Sequence, residues 1–335
     1  MMKLNDLKKQ MKGVCIVQIT PFNKDGSLDL EGMRGNTRWL LKKMAGKDAI
    51  FTPLGSTGEF SSMSDEERKA VIKMVVEEVN GSHPVIPGAA QAGTPETIKM
   101  CQYAQSVGAD GAQVVLPYYH VPQEEGMYQH YLQVASSVDS NFGIMIYNNP
   151  SVSGSWVRPQ LMQKITKIPN VVAIKENTPN ILSYFMMQQA VDPADAPILC
   201  GLGDEMFPFW APYGCAGIVS SMSNFLPDHA SAMYEAAAAR DFDKVFEVWR
   251  SISPFYKIPA VVSALTSSPS FTAKITQNHG PATGVNGGPI TYIGVYKAAM
   301  DLMGLHGGEV RLPLTGINEE EKKELAGILK KMKVI

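Results

Sequence analysis

No stretch of this sequence stays apolar for the roughly twenty residues that a bilayer demands. Cysteine is scarce and scattered: Cys15, Cys101, Cys200 and Cys215 form no CxxC pair and no Cys/His cluster. Three of the four lie in apolar, strand-like runs, which reads as buried thiols in a reducing compartment. Neither sign of charge dominates, since 30 Lys and Arg face 32 Asp and Glu. That balance gives no basic field for nucleic acid and no acidic tether. The opening segment, 1–12, is lysine-rich but lacks the apolar core of a secretory signal. Heptads, low-complexity tracts and a nucleotide fingerprint are missing too. The expectation is a soluble cytoplasmic protein with a small-molecule partner, not a nucleic acid or a membrane.

What is there is a repeat of form. A short apolar run is followed by a loop with Gly, Pro or Asn, and then by a longer amphipathic segment. The apolar runs are Val14–Thr20, Ala49–Leu54, Val85–Ala90, Ala112–Leu116, Gly143–Tyr147, Val171–Ile174, Ile198–Leu202 and Gly217–Ser221. Between them lie helical patterns, among them a capping box at Ser64-Asp65-Glu66-Glu67 and a helix-opening proline in Thr94-Pro95-Glu96. Strands alternating with helices imply a parallel sheet. Eight units in this length favour a closed (β/α)8 TIM barrel over an open doubly wound sheet. The expected organisation is a lead-in helix over 1–12, a barrel over 13–241 and a helical C-terminal domain over 242–335. Within the last, a helix over 242–264, a Ser/Thr/Gly/Pro-rich loop region from Ser267 to Pro289, and helices at Ile290–Leu305 and Asn318–Met332 are predicted.

The chain is organised around Val171-Val172-Ala173-Ile174-Lys175-Glu176. Its apolar, β-branched start reads as a fully buried strand. Lysine at the end of such a strand either points to water or is buried. A desolvated ammonium gives up its proton more readily, and the free amine attacks carbonyls. The neighbouring strand ends favour the second reading. Gly55-Ser56-Thr57-Gly58-Glu59 offers backbone N–H groups and hydroxyls to a carboxylate. Strand five ends in Tyr147, a residue able to pass protons. Pro117-Tyr118-Tyr119-His120 caps a pocket or serves an interface, with His120 an acid/base candidate by residue type alone. Asp204-Glu205 reads as helix N-terminal decoration or as a polyol contact. Because barrel chemistry gathers at the C-terminal ends of strands, these groups share one site: an imine former, a proton relay and a carboxylate anchor.

These residues resemble the dihydrodipicolinate synthase / N-acetylneuraminate lyase family of class I pyruvate-dependent aldolases. The resemblance runs from Gly13 to about Arg240 on Thr20-Pro21-Phe22, Gly55-Ser56-Thr57-Gly58-Glu59, Pro117-Tyr118-Tyr119, Tyr147-Asn148 with Pro150 and Gly154, and Ile174-Lys175-Glu176. A weaker echo lies at Arg311-Leu312-Pro313-Leu314. The resemblance implies Lys175 as Schiff-base lysine and Tyr147 as general acid/base. It implies that Ser56 and Tyr119 complete the proton relay, with a loop tyrosine crossing a dimer interface. A pyruvate carboxylate would sit on Ser56 and Thr57, in the turn opened by Gly55, with the Val219 backbone lining the same pocket and Asp204 among the substrate contacts. It implies no metal or organic cofactor, and a homotetramer built as a dimer of dimers.

One departure bears on substrate. Synthases of this family usually place an arginine shortly after the catalytic tyrosine to hold a second carboxylate; that position is Val152 here. Arg158 is nearby but is expected to start the next helix. Asp65 and Arg68 occupy the region where some synthases carry feedback histidines. Together with Ser56-Thr57 and Asp204-Glu205, this leans toward a lyase or dehydratase of a 2-oxo-3-deoxy sugar acid or a related hydroxylated 2-oxo acid. Synthesis of 4-hydroxy-tetrahydrodipicolinate from pyruvate and aspartate semialdehyde is the alternative. A non-catalytic 2-oxo acid sensor is the reading from another class, and Lys175 and Tyr147 argue against it.

Overall fold

The structure is a computed structural model that describes residues 2–257 and 292–335. Seven parallel strands form one sheet: β1 (Gly13–Val17), β2 (Ala49–Thr52), β3 (Gly111–Val115), β4 (Gly143–Asn148), β5 (Val171–Glu176), β6 (Ile198–Cys200) and β7 (Gly217–Ser220). Their order, β2-β1-β7-β6-β5-β4-β3, is that of a barrel open at one seam. The run expected there as a strand, Val85–Ala90, closes the seam with isolated bridges, Phe51 to Val85 and Gly88 to Gln113. Pro84 and Pro87 explain why it makes no full ladder, because neither has an N–H to donate. Backbone bonds still reach both neighbours, Ile86 N to Phe51 O at 2.9 Å and Ala89 N to Gln113 O at 3.0 Å. The result is a TIM barrel with helices around it and a helical C-terminal portion.

Strands buried on both faces carry apolar residues throughout, and the period of two divides them. Val14, Ile16, Phe51, Val114, Ile146 and Ile174 face the helices, whereas Cys15, Val17, Ile50, Met145, Ala173, Leu199 and Val219 fill the barrel. The helix Leu4–Gln10 departs from expectation. It is not simply a polar lead-in, because Leu7 and Met11 are fully buried in the barrel's interior cluster. They seal the N-terminal mouth of the barrel.

The caps act where the sequence puts them. Ser64 Oγ accepts from Glu67 N at 3.2 Å and Glu67 Oε2 accepts from Ser64 N at 2.9 Å, opening the helix Asp65–Val79. Asn318 does the same for Glu319–Lys331. Beyond the barrel, the helix Phe242–Ile252 ends in a 3-10 turn, Ser253–Lys257, and a helix resumes at Tyr292–Leu302. The expected helix over 258–264, the loop region from Ser267 to Pro289 and the start of the helix at Ile290 lie outside the described residues. Tyr296 of the Tyr292–Leu302 helix packs on Phe225 and Phe255, with ring centroids 5.7 and 5.6 Å away, so this helix joins the same core as the barrel.

Candidate active site

Ile174 faces the helices, so the next residue of β5 must face the barrel axis. Lys175 is 3% exposed, which excludes the reading in which it points to water. Its neighbour across the ladder is Tyr147, and the Lys175 Nζ lies 3.8 Å from the centre of the Tyr147 ring. Below the pair the barrel is closed by Cys15 and Thr52, whose Sγ and Oγ1 are 3.2 Å apart. Burial raises the Cys15 thiol, so it stays a neutral neighbour of the amine.

The Tyr147 hydroxyl accepts from Asn149 Nδ2 at 2.7 Å and stands 3.4 Å from Ser56 Oγ. Ser56 and Thr57 sit in a 3-10 turn, Ser56–Gly58, directly after β2. Gly58 is needed for close approach, since a Cβ there would come within 2.9 Å of the Gln18 carbonyl. Thr57 Oγ1 pairs with Ser221 Oγ at 2.8 Å, which ties this turn to the end of β7 beside Val219. Lys175, Tyr147, Ser56, Thr57, Gly55 and Val219 therefore line one end of the barrel. Tyr119 does not join them within the chain: its ring is 81% exposed and stacks edge-on against His120, which is exposed as well.

Asp204 is 2% exposed and spends both carboxylate oxygens on the Ser220 hydroxyl, at 2.9 and 2.8 Å. Burial raises its carboxyl to about 6. Glu205 beside it is raised to about 8 by burial, with the Asp204 charge adding to the effect. Val152 packs on an apolar patch of Ala90, Val115 and Tyr147. Arg158 stands at the N-cap position of the helix Pro159–Ile165, beside Glu124, as its position suggested.

Three contributors were not marked by the sequence. Asn149 appears in it only as part of a turn. Ser221 closes a strand-like run with nothing to single it out. Tyr292 comes from the C-terminal helix: burial pushes its phenol up to about 12, against an opposing pull from Thr57 beside it. Only a fold that returns the C-terminal helix to the barrel mouth reveals it. Among the described residues, no group of three or more His, Cys, Asp or Glu side chains is placed to hold a metal.

Glu176 faces away from the site and fixes the frame. Its carboxylate accepts from Asn148 Nδ2 at 2.7 Å and from Thr178 N at 2.8 Å. Burial raises it to about 7, against the opposing pull of the Thr178 and Asn148 hydrogen bonds. A carboxyl raised in the fold binds a proton that the unfolded chain has released, so its contribution to stability falls as pH climbs from its ordinary range through 7. The expected size of that loss is on the order of 3 kcal/mol. Glu176→Gln should flatten this slope, whatever constant cost it carries. Denaturant unfolding of both proteins at pH 5 and pH 8 checks it, and parallel pH dependences would refute it.

A closed parallel barrel with a buried lysine beside a tyrosine at the C-terminal ends of its strands fits a class: Schiff-base enzymes of the TIM-barrel type. The model of the dihydrodipicolinate synthetase family matches residues 10–267, and the chain belongs to that family. Members are class I lyases, which sets the sensor reading aside. The chain is 32% identical over 325 residues to a 4-hydroxy-tetrahydrodipicolinate synthase of Geotalea daltonii, covering 97% of this chain and 99% of that one. A synthase of the same name from Methanococcus maripaludis is 31% identical over 320 residues, covering 95% and 98%. Among solved structures, the dihydrodipicolinate synthase of Thermotoga maritima superposes with a TM-score of 0.80 at 31% identity, covering 97% and 100%. A prophage protein of this family from E. coli K12, solved with pyruvate, gives 0.79 at 27%, covering 97% and 99%.

Proposed function

We propose that this protein is a lyase or dehydratase that captures a 2-oxo-3-deoxy sugar acid, or a related hydroxylated 2-oxo acid, as an imine on Lys175. The observation that carries the reading is a nearly fully buried lysine amine held 3.8 Å from the ring of Tyr147. The amine of Lys175 adds to the C2 carbonyl. Tyr147, backed by Ser56, returns protons to the carbinolamine oxygen, which leaves as water. The protonated imine then draws electrons toward nitrogen. In cleavage, the C4 hydroxyl loses its proton, the C3–C4 bond breaks, and its electron pair forms the enamine while an aldehyde departs. In dehydration, C3 loses a proton and the enamine expels the C4 hydroxyl as water. Ser56 and Thr57 hold the carboxylate, in the turn opened by Gly55 and beside the Val219 backbone. Asp204, which follows β6, shapes the substrate pocket indirectly, by fixing the Ser220 hydroxyl at the end of β7. No cofactor is required.

A second reading is condensation of pyruvate with aspartate semialdehyde; the names of the curated relatives favour it. Val152 weighs the other way, because an apolar side chain stands where a bidentate carboxylate partner would be needed.

The reading extends to assembly in the cytoplasm. Exposed Tyr119 and Val121 form one apolar surface, and Ile181, Leu182, Phe185, Met186 and Tyr213 another. Two such faces suit a homotetramer built as a dimer of dimers, with Tyr119 entering the partner's relay. Sedimentation velocity should find a tetramer, and a monomer at micromolar concentration would refute it. The imine itself is tested by borohydride reduction in the presence of pyruvate. A reduced adduct on Lys175 is expected; unmodified protein would overturn the reading.

A further inference from the structure

The Tyr292–Leu302 helix reaches the Ser56–Gly58 turn. Lys297 pairs with Glu59, the residue that closes the turn. Glu59 adopts a left-handed conformation, φ 54° and ψ 32°, which a non-glycine residue holds only when its surroundings enforce it. Those surroundings are specific. Lys297 and Glu59 form an ion pair with side chains 2% and 0% exposed. Glu59 Oε2 also accepts from Arg311 N at 2.9 Å. Lys297 Nζ donates to the Glu309 carbonyl at 2.5 Å and lies 4.5 Å from the centre of the Phe22 ring. The ammonium is thus surrounded by a carboxylate, a carbonyl and an aromatic face, with no need of water. Arg311 covers Phe22 as well, at 4.0 Å, and grips Glu67 with two hydrogen bonds of 2.8 and 2.5 Å. The Thr20 hydroxyl donates to the Gly58 carbonyl at 2.8 Å, completing the mount.

We propose that Lys297 is a positioning residue: through Glu59 it sets the Ser56–Thr57 turn in the geometry that receives the substrate carboxylate. The proposal rests on the reading above, in which that turn binds the carboxylate of a 2-oxo acid. The contacts of the Lys297 ammonium are Glu59, the Glu309 carbonyl and the Phe22 ring, so it acts on the turn and not on the reacting atoms. Its effect is on where two hydroxyls and their backbone N–H groups stand, and a misplacement of about 1 Å is enough to weaken such a cradle strongly. A buried ion pair is a weak source of stability but a firm constraint on geometry, because breaking it strands a charge. The C-terminal helix is therefore part of the active site's construction.

The test compares two ketones in borohydride trapping on Lys175: pyruvate, which carries the carboxylate, and acetone, which does not. In Lys297→Met the half-saturating pyruvate concentration should rise about ten-fold or more, while acetone trapping changes less than about two-fold. Glu59→Leu/Lys297→Met replaces the pair by packed apolar groups, a change that folds tolerate. It should show the same selective weakening, and it carries the test if Lys297→Met alone does not fold. An unchanged pyruvate half-saturation, or an equal loss for both ketones, overturns the positioning role while leaving the imine reading intact. No pyruvate adduct on the wild-type protein removes both.

Discussion

Lys175→Ala is expected to abolish turnover, by at least about 10⁴-fold, and to leave no borohydride-trapped adduct. The reason is chemical: among the described residues the amine of Lys175 is the one seated against Tyr147 inside the barrel, at 3.8 Å. Without it the 2-oxo acid has nothing to make an electron sink. Lys175→Met keeps the volume and should lose activity equally, which separates chemistry from a cavity under the site. Tyr147→Phe should behave differently. It removes the hydroxyl that meets Asn149 at 2.7 Å and Ser56 at 3.4 Å but keeps the ring. A loss of about 10²- to 10⁴-fold in kcat is expected, with pyruvate still trapped on Lys175 after long incubation. Rapid-quench measurement of adduct formation beside steady-state turnover reads both variants. Full activity in Lys175→Met, or loss of all trapping in Tyr147→Phe, would contradict these roles.

Both residues were legible because they obey a local rule. Strand periodicity puts Lys175 on the opposite face from Ile174, and a parallel ladder puts Tyr147 beside it. The Ser56–Gly58 turn was legible for a similar reason, since glycines and hydroxyls in one short βα turn need no distant partner to be noticed. What stayed hidden depends on long-range return of the chain. Leu7 and Met11 look like the apolar side of a short surface helix until the barrel mouth is found above them. The seam at Val85–Ala90 looks like another strand until Pro84 and Pro87 are counted as missing donors. Lys297 reads as the one lysine on a mostly apolar helix, and nothing near it in sequence names Glu59, 238 positions earlier, as its partner.

The choice of substrate turns on Val152. Its side chain packs against Tyr147, Ala90 and Val115, so the wall beside Tyr147 is apolar at the point where a second carboxylate would need an arginine. An aspartate semialdehyde carboxylate placed there would be desolvated without a partner. Hydroxylated chains ask less, because each hydroxyl needs only a neutral hydrogen-bond partner rather than a charged one. A panel of 2-oxo-3-deoxy acids, read by release of pyruvate or 2-oxoglutarate semialdehyde, should therefore show turnover well above that of pyruvate plus aspartate semialdehyde. Val152→Arg should shift the balance. A bidentate guanidinium–carboxylate pair contributes about 1.5–3 kcal/mol, so kcat/KM for aspartate semialdehyde should rise roughly 10- to 100-fold. The gain should appear mainly in KM, since the new contact is made before and during the reaction alike. Wild-type condensation at the rate of an ordinary biosynthetic enzyme would reverse the preference. It would mean that the second carboxylate is held elsewhere, and Val152→Arg would then leave the condensation rate unimproved.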